Sequence, residues 1–184
     1  EDNKTGMTAD LAYSTTTGIE GLVKSCYAYT RAWWGKEAGL GLTEAGTDVI
    51  LAGFDNKQKS LVSYNLTARS LDGNTADDAV LDHYWEMFYD AIDVCNNALV
   101  YIPLNTNISD TKKEQYLGEV KFLRALYYSQ MVATWGPIPY RTEPVTAVST
   151  TPVRVPEAEV YKYILTDIDE AIGHFRAASF TDKK

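Results

Sequence analysis

The sequence predicts an all-α protein, and three observations carry that expectation. Apolar residues recur at helical spacing in four separate stretches. Three of those stretches open on hydroxyl-bearing or proline start signals, and one of them closes on an abrupt Gly136-Pro137 stop. The segments between them are rich in glycine, threonine and proline, which break regular structure. With 184 residues and 45% apolar composition, the chain can bury a sizeable core and is about one domain in length.

Taken in order, residues 1–13 are polar and are expected to form an extended lead-in. Thr17-Gly18-Ile19-Glu20 then spells a capping box, in which a hydroxyl and a carboxylate satisfy free N–H groups at a helix start. Ile19, Leu22, Val23, Cys26 and Thr30 continue one face of that helix. From Trp33 to Asp77 the periodicity is lost, because Gly35, Gly39, Gly41, Gly46 and Gly53 interrupt it and only Leu61 to Leu66 hints at a regular piece. An irregular insertion of this length is uncommon inside a compact domain and is often functional.

The next helix, expected from about Asp78 to Ile102, is the best patterned. Leu81, Phe88, Cys95 and Ile102 are seven apart, joined by Tyr84, Trp85, Ala91, Ile92 and Leu99, while Asp82, Glu86, Asp90, Asp93 and Asn97 hold the other side. After Pro103, Thr111-Lys112-Lys113-Glu114 offers a second capping box. It opens a helix containing Glu119-Val120-Lys121-Phe122-Leu123-Arg124-Ala125-Leu126-Tyr127-Tyr128, so two long helices form an antiparallel hairpin. Within it, Gly118 and Ala125 leave room for a neighbouring backbone, and Lys121, Arg124 and Tyr128 share an edge from which charged heads reach water. Gly136 supplies a left-handed cap, and Pro137 and Pro139 forbid further helix. Residues 141–155 are expected to run over the surface as a strap. Pro156 starts a last helix with Tyr161, Ile164, Leu165, Ile168, Ala171, Ile172 and Phe175 on one face.

Catalytic machinery is hard to assemble from these residues. His83 and His174 sit in no metal-binding spacing, and there is no nucleophile elbow, phosphate-binding loop or dinucleotide fingerprint. Most carboxylates lie on polar helix faces, where solvation is their ordinary role. Asp72, Asn74, Asp77 and Asp78 suggest calcium, but Ala76 falls where a calcium loop needs an oxygen. The expectation is therefore a protein that is not an enzyme and holds no metal or cofactor. Seventeen basic against twenty-five acidic residues give a net charge of −8 with no basic patch, which argues against nucleic acid and against anionic lipid as partners. No run of eighteen apolar residues occurs. Cys26 and Cys95 each fall on an apolar stripe, where a buried reduced thiol is a commoner outcome than a disulfide.

The run Glu119 to Tyr128, followed by Trp135-Gly136 and the proline turn Pro137-Ile138-Pro139-Tyr140, resembles the SusD/RagB family of outer-membrane nutrient-binding lipoproteins. The usual pattern there is E-x-K-F-L-R-A-L-x-Y, then an aromatic-glycine pair and a short proline turn. The resemblance extends through Gly18 to Tyr29, the pair Thr47-Asp48, Asp78 to Ile102, and Val160 to Ala171. It implies that residues 1–184 are an N-terminal helical domain of a longer protein, built from tetratricopeptide-like helix pairs with a long irregular insertion. It further implies export, a lipid anchor on a cysteine upstream of Glu1, and residence at the outer-membrane surface. A SusC-like TonB-dependent transporter is the implied partner and an oligosaccharide the implied ligand. Peptide capture of the RagB kind, or a plain protein-binding scaffold, are the alternatives.

A binding surface can be built from the insertion. Trp33 and Trp34 precede the glycine-rich loop, and Phe54, Asp55 and Asn56 follow Thr47-Asp48. A sugar ring presents C–H faces to an aromatic plane and hydroxyls to amides and carboxylates, so this combination suits glycan recognition. The resemblance places Phe54, with Asn56 beside it, where family members reach their ligand, although Val49 stands where the family often has glutamate. The competing reading is that Trp33, Trp34 and Phe54 fold the loop back onto the helices.

Overall fold

The computed structural model describes residues 9–34, 36–44, 46–50, 62, 75–147 and 151–178. Its helices are α1 (Ala9–Tyr13), α2 (Thr16–Ala28), α3 (Thr30–Trp34), α4 (Glu37–Glu44), α5 (Thr75–Leu104), α6 (Asp110–Trp135) and α7 (Glu157–Ala177). Among the described residues no strand forms, and the one isolated bridge joins Ile138 to Val155. The protein is all-α. It divides into two compact units, residues 1–27 with 90–184, and residues 28–89.

The larger unit is built by helices that fold back one after another. Asn96 of α5 meets Arg124 of α6, and the Pro103 carbonyl accepts from Lys113, so the two helices run antiparallel. Helix α7 returns along α6 in the same sense, with His174 at Glu114 and Asp167 at Arg124. Helix α2 adds buried Ile19, Leu22, Val23 and Cys26, and its Cys26 carbonyl accepts a hydrogen bond from the Tyr127 hydroxyl. Tyr127, Ile92, Ile102, Leu123 and Met131 are among the fully buried side chains of this core. Removing each such side chain from water contributes about 1.5–3 kcal/mol, which offsets the conformational entropy lost when these long helices are ordered.

Both capping boxes prove to be displaced. The Thr15 hydroxyl, not that of Thr17, accepts from the Gly18 N–H at 3.0 Å, and Ser109, not Thr111, accepts from the Lys112 N–H at 3.3 Å. Each start offers more than one hydroxyl residue, and a carboxylate three positions after the wrong one draws the box two residues inward. Replacing Ser109 by alanine should therefore cost about 0.5–2 kcal/mol in urea denaturation. Thr111→Ala should stay within about 0.5 kcal/mol, as for an ordinary exposed site; the reverse order would restore the box at Thr111.

Other expectations shift with the packing. Residues 9–13 form a short helix rather than an extended lead-in. Helix α5 begins earlier than expected and carries Pro103 in its last turn. Arg124 and Tyr128 are buried rather than lying along a wet edge, whereas Phe122 is exposed, because α5 and α7 cover α6 from two sides. The space beside Gly118 is filled by the Phe175 ring, which a Cβ there would meet at 2.8 Å, and not by another backbone. Gly136 does end α6 at positive φ (68°), with its N–H on the Val132 carbonyl, but its ψ of −130° lies outside the left-handed helical region. On α7 the buried face is Val160, Ile164, Asp167 and Ala171, while Tyr161, Leu165 and Ile172 face water. Cys26 and Cys95 are both buried free thiols.

Candidate functional site

The unit of residues 28–89 carries the predicted ligand surface. Helix α3 is one short turn-and-a-half of Thr-Arg-Ala-Trp-Trp, so its two tryptophans point in different directions. Trp33 is 3% exposed. Its ring meets Tyr84 edge-on at 5.0 Å and lies tilted against Phe88 at 5.0 Å. Trp34 is 55% exposed. One tryptophan thus anchors α3 in the interior while the next presents an indole face to solvent.

Two features hold that arrangement. The Tyr84 hydroxyl donates to the Ala32 carbonyl at 2.9 Å, and burial raises its pKa, so it remains a neutral donor. Gly39 of α4 lies against the Trp33 carbonyl so closely that a Cβ there would stand 2.1 Å from the oxygen. Only glycine lets α4 approach α3 this way, which gives the otherwise pattern-breaking glycine a structural reason. Beyond α4, Gly46 takes positive φ (84°) and the Thr47 hydroxyl donates to the Glu44 carbonyl at 2.8 Å, so Thr47-Asp48 begins as a turn closing the helix. Asp48 and Val49 are exposed. Phe54, Asp55 and Asn56 lie outside the described residues, as do Asp72 and Asn74 of the weighed calcium motif.

The signature helix does different work. The buried Arg124 guanidinium reaches Asp167 of α7 through two bonds of 2.7 Å, from Nε and Nη2, and donates from Nη1 to the Asn96 side chain of α5 at 2.8 Å. Burial alone would depress the Arg124 pKa, but the hydrogen bonds and charge of Asp167 more than offset it and the pKa is raised. Lys121 adds ion pairs to Asp167 at 3.1 Å and Glu170 at 2.5 Å. The remaining amide of Asn96 donates to the Arg141 and Glu143 carbonyls, and the Asp93 carboxylate accepts from the Val145 N–H, so the same knot ties down the strap. Tyr128 accepts from the Arg141 N–H and donates to its carbonyl. Tyr140 stacks on Tyr163 at 4.4 Å, and burial with the Asp167 charge pushes its pKa up to about 12. A concavity of about 310 Å³ lies along residues 141–147, but a single segment lines it and no groups from other elements converge there.

This three-helix knot was missed in the sequence, although a sign of it was present. Asp167 falls between Ile164 and Ala171 on the buried face of α7, where a carboxylate needs a cationic partner. The histidines are likewise structural in placement. His174 Nδ1 is 2.7 Å from Glu114, and His83 lies edge-on to Tyr84 at 5.3 Å. Among the described residues, no group of three or more histidine, cysteine or acidic side chains could hold a metal. No described helix is long and apolar enough to cross a membrane.

A family model described as SusD-like, starch-binding and associating with the outer membrane matches residues 42–180. The chain belongs to the SusD-like family. SusD-like protein P2 of Formosa agariphila is 26% identical over 178 residues, which cover 93% of this chain and 34% of that relative. Among solved structures, a laminarin-binding SusD-like protein aligns with a TM-score of 0.70 at 23% identity, covering 87% of this chain and 34% of its own. Surface glycan-binding protein A from Bacteroides fluxus aligns at 0.61 and 23% identity over 85% of this chain and 33% of its own. These structures share the fold with this SusD-like chain, which spans about a third of their length and corresponds to the N-terminal portion of the family. The match takes in the signature helix, the proline turn and α7, and with them the Arg124–Asp167 knot.

Proposed function

We propose that this SusD-like chain is part of a lipid-anchored cell-surface protein that captures an oligosaccharide, starch-like in class, without chemically altering it. It passes the sugar to a SusC-like TonB-dependent transporter in the outer membrane. The observation that carries this reading is the family match over residues 42–180, whose description joins starch binding to the outer membrane. The exposed Trp34 supports it chemically, since an indole face held on an anchored helix is the surface on which a pyranose ring stacks. In this reading Trp34, Phe54, Asp55 and Asn56 contact the glycan, and Trp33 acts as the anchor that fixes Trp34.

Titration calorimetry tests the reading on a polypeptide of the relatives' length, with starch-derived and laminarin-derived oligosaccharides as ligands. Trp34→Ala and Phe54→Ala should each weaken binding by about fivefold or more, roughly 1 kcal/mol, while far-ultraviolet circular dichroism and melting stay near wild type. Unchanged affinity in both variants would remove these aromatics from the site. Binding to a peptide library with none to any saccharide would replace the glycan reading with peptide capture.

A further inference from the structure

Cys26 of α2 and Cys95 of α5 are both fully buried, and their thiols meet inside the larger unit. The Cys26 S–H donates to the Leu22 carbonyl of its own helix at 3.4 Å, which leaves its sulfur lone pairs to accept, and the Cys95 thiol is hydrogen-bonded to it. The chain beside each sulfur is held by α6. The Tyr127 hydroxyl donates to the Cys26 carbonyl, and Asn96, next to Cys95, accepts from Arg124. Sulfurs joined by a hydrogen bond on anchored helices are aimed at each other, which is what two cysteines must satisfy before they can be bridged.

Their position along the chain gives such a bridge a consequence. The unit of residues 28–89 begins just after Cys26 and ends shortly before Cys95. A bond between the two therefore closes one loop that contains that whole unit, and disulfides that close long loops constrain the unfolded chain most. It also ties down α2, a helix of 13 residues that buries only Ile19, Leu22, Val23 and Cys26. A helix this short is marginal by itself. We propose that Cys26 and Cys95 are a disulfide-forming pair whose bond staples α2 to α5, and that the structure holds its reduced form. The hydrogen bond to Cys26 and burial push the Cys95 pKa up, and the thiolate is the nucleophile, so the docked thiol is a poor attacker. Closure belongs to the folding chain, before α2 docks. One cysteine thiolate attacks a small-molecule or protein disulfide and displaces its first sulfur; the second thiolate then attacks the mixed disulfide, forms the Cys26–Cys95 bond and displaces the other sulfur. The oxidant takes up two electrons and the two thiol protons and leaves as two thiols. Export, as in the function proposed above, brings the folding chain into contact with such oxidants, but the pairing itself needs no sugar and no transporter.

Oxidative refolding tests the pairing on a polypeptide of the relatives' length. The protein is unfolded and reduced, refolded in a mixture of oxidised and reduced glutathione, quenched in acid, alkylated and cut with trypsin. A peptide pair joining Cys26 to Cys95 and separated by reductant should account for most of both residues. The urea midpoint of the oxidised protein should fall by about 1 M or more when the bond is reduced. The double variant Cys26→Ala with Cys95→Ala keeps any cysteine elsewhere in the longer chain, and its midpoint should be the same with and without reductant. Full alkylation of both residues after refolding overturns the proposal. So does recovery of each as a glutathione adduct, since the two sulfurs then fail to meet. A linked pair whose reduction leaves the midpoint unchanged overturns the staple. Each readout is independent of whether any sugar binds, so failure of the glycan reading leaves them intact.

Discussion

Arg124→Ala should lower the unfolding free energy by about 3–5 kcal/mol, measured by urea denaturation followed at far-ultraviolet wavelengths. The guanidinium is buried and its partners are all in place: Asp167 through two bonds of 2.7 Å and Asn96 at 2.8 Å. Truncation leaves the Asp167 carboxylate inside with only Lys121 to compensate it, and leaves the Asn96 carbonyl oxygen without its donor. The cost is that of stranding these groups, since desolvating the two charges consumes most of what their attraction returns. This distinction has a measurable consequence. The double variant Arg124→Met with Asp167→Leu should recover much of the loss, because no buried charge is then left unpaired. A single-variant loss below about 1 kcal/mol would mean that water replaces the guanidinium and that the knot is not sealed.

The contrast between what the sequence disclosed and what it concealed follows from the same knot. Periodicity located α2, α5, α6 and α7 to within a few residues, because a helix that packs on one neighbour must repeat its apolar residues every three or four positions. It failed where a helix has more than one neighbour. On α6, periodicity puts Arg124 and Tyr128 on a wet edge, and the structure buries both while Phe122 is exposed, since the side of α6 that accepts α7 is partly charged. On α7, two apolar stripes were merged into one face, and only the position of α6 divides them. The short helices α3 and α4 were illegible for a different reason. Five and eight residues are too few to show a period, and Gly39, which reads as a breaker, is where the two backbones touch. For the candidate site, the sequence offers Trp33 and Trp34 together, either as sugar-facing aromatics or as anchors that fold the loop back onto the helices. Adjacent helical residues diverge by about 100°, so a short helix docked through one of them exposes the other. Which of the two is docked depends on Tyr84 and Phe88, far along the chain.

That dependence makes Phe88→Ala the most informative change in the unit of residues 28–89. Phe88 is fully buried and its ring lies 5.0 Å from Trp33 and 6.2 Å from Tyr84. Losing it removes the aromatic surface on which the indole rests and opens a cavity that a rigid cluster closes only in part. The expected cost is about 3–5 kcal/mol in urea denaturation. Near-ultraviolet circular dichroism should fall as the Trp33 environment loosens, while the far-ultraviolet spectrum, dominated by the long helices, should change little. A conservative Phe88→Leu should cost much less, since it keeps most of the apolar volume. If Trp34 takes its orientation from the docked Trp33, oligosaccharide affinity should weaken in Phe88→Ala although residue 88 touches no ligand, and recover in Phe88→Leu. A large stability loss with unchanged affinity would separate the two tryptophans and show that Trp34 owes its position to α4. A stability loss below about 1 kcal/mol would show that the Trp33 ring is held by Tyr84 and the Gly39 contact alone.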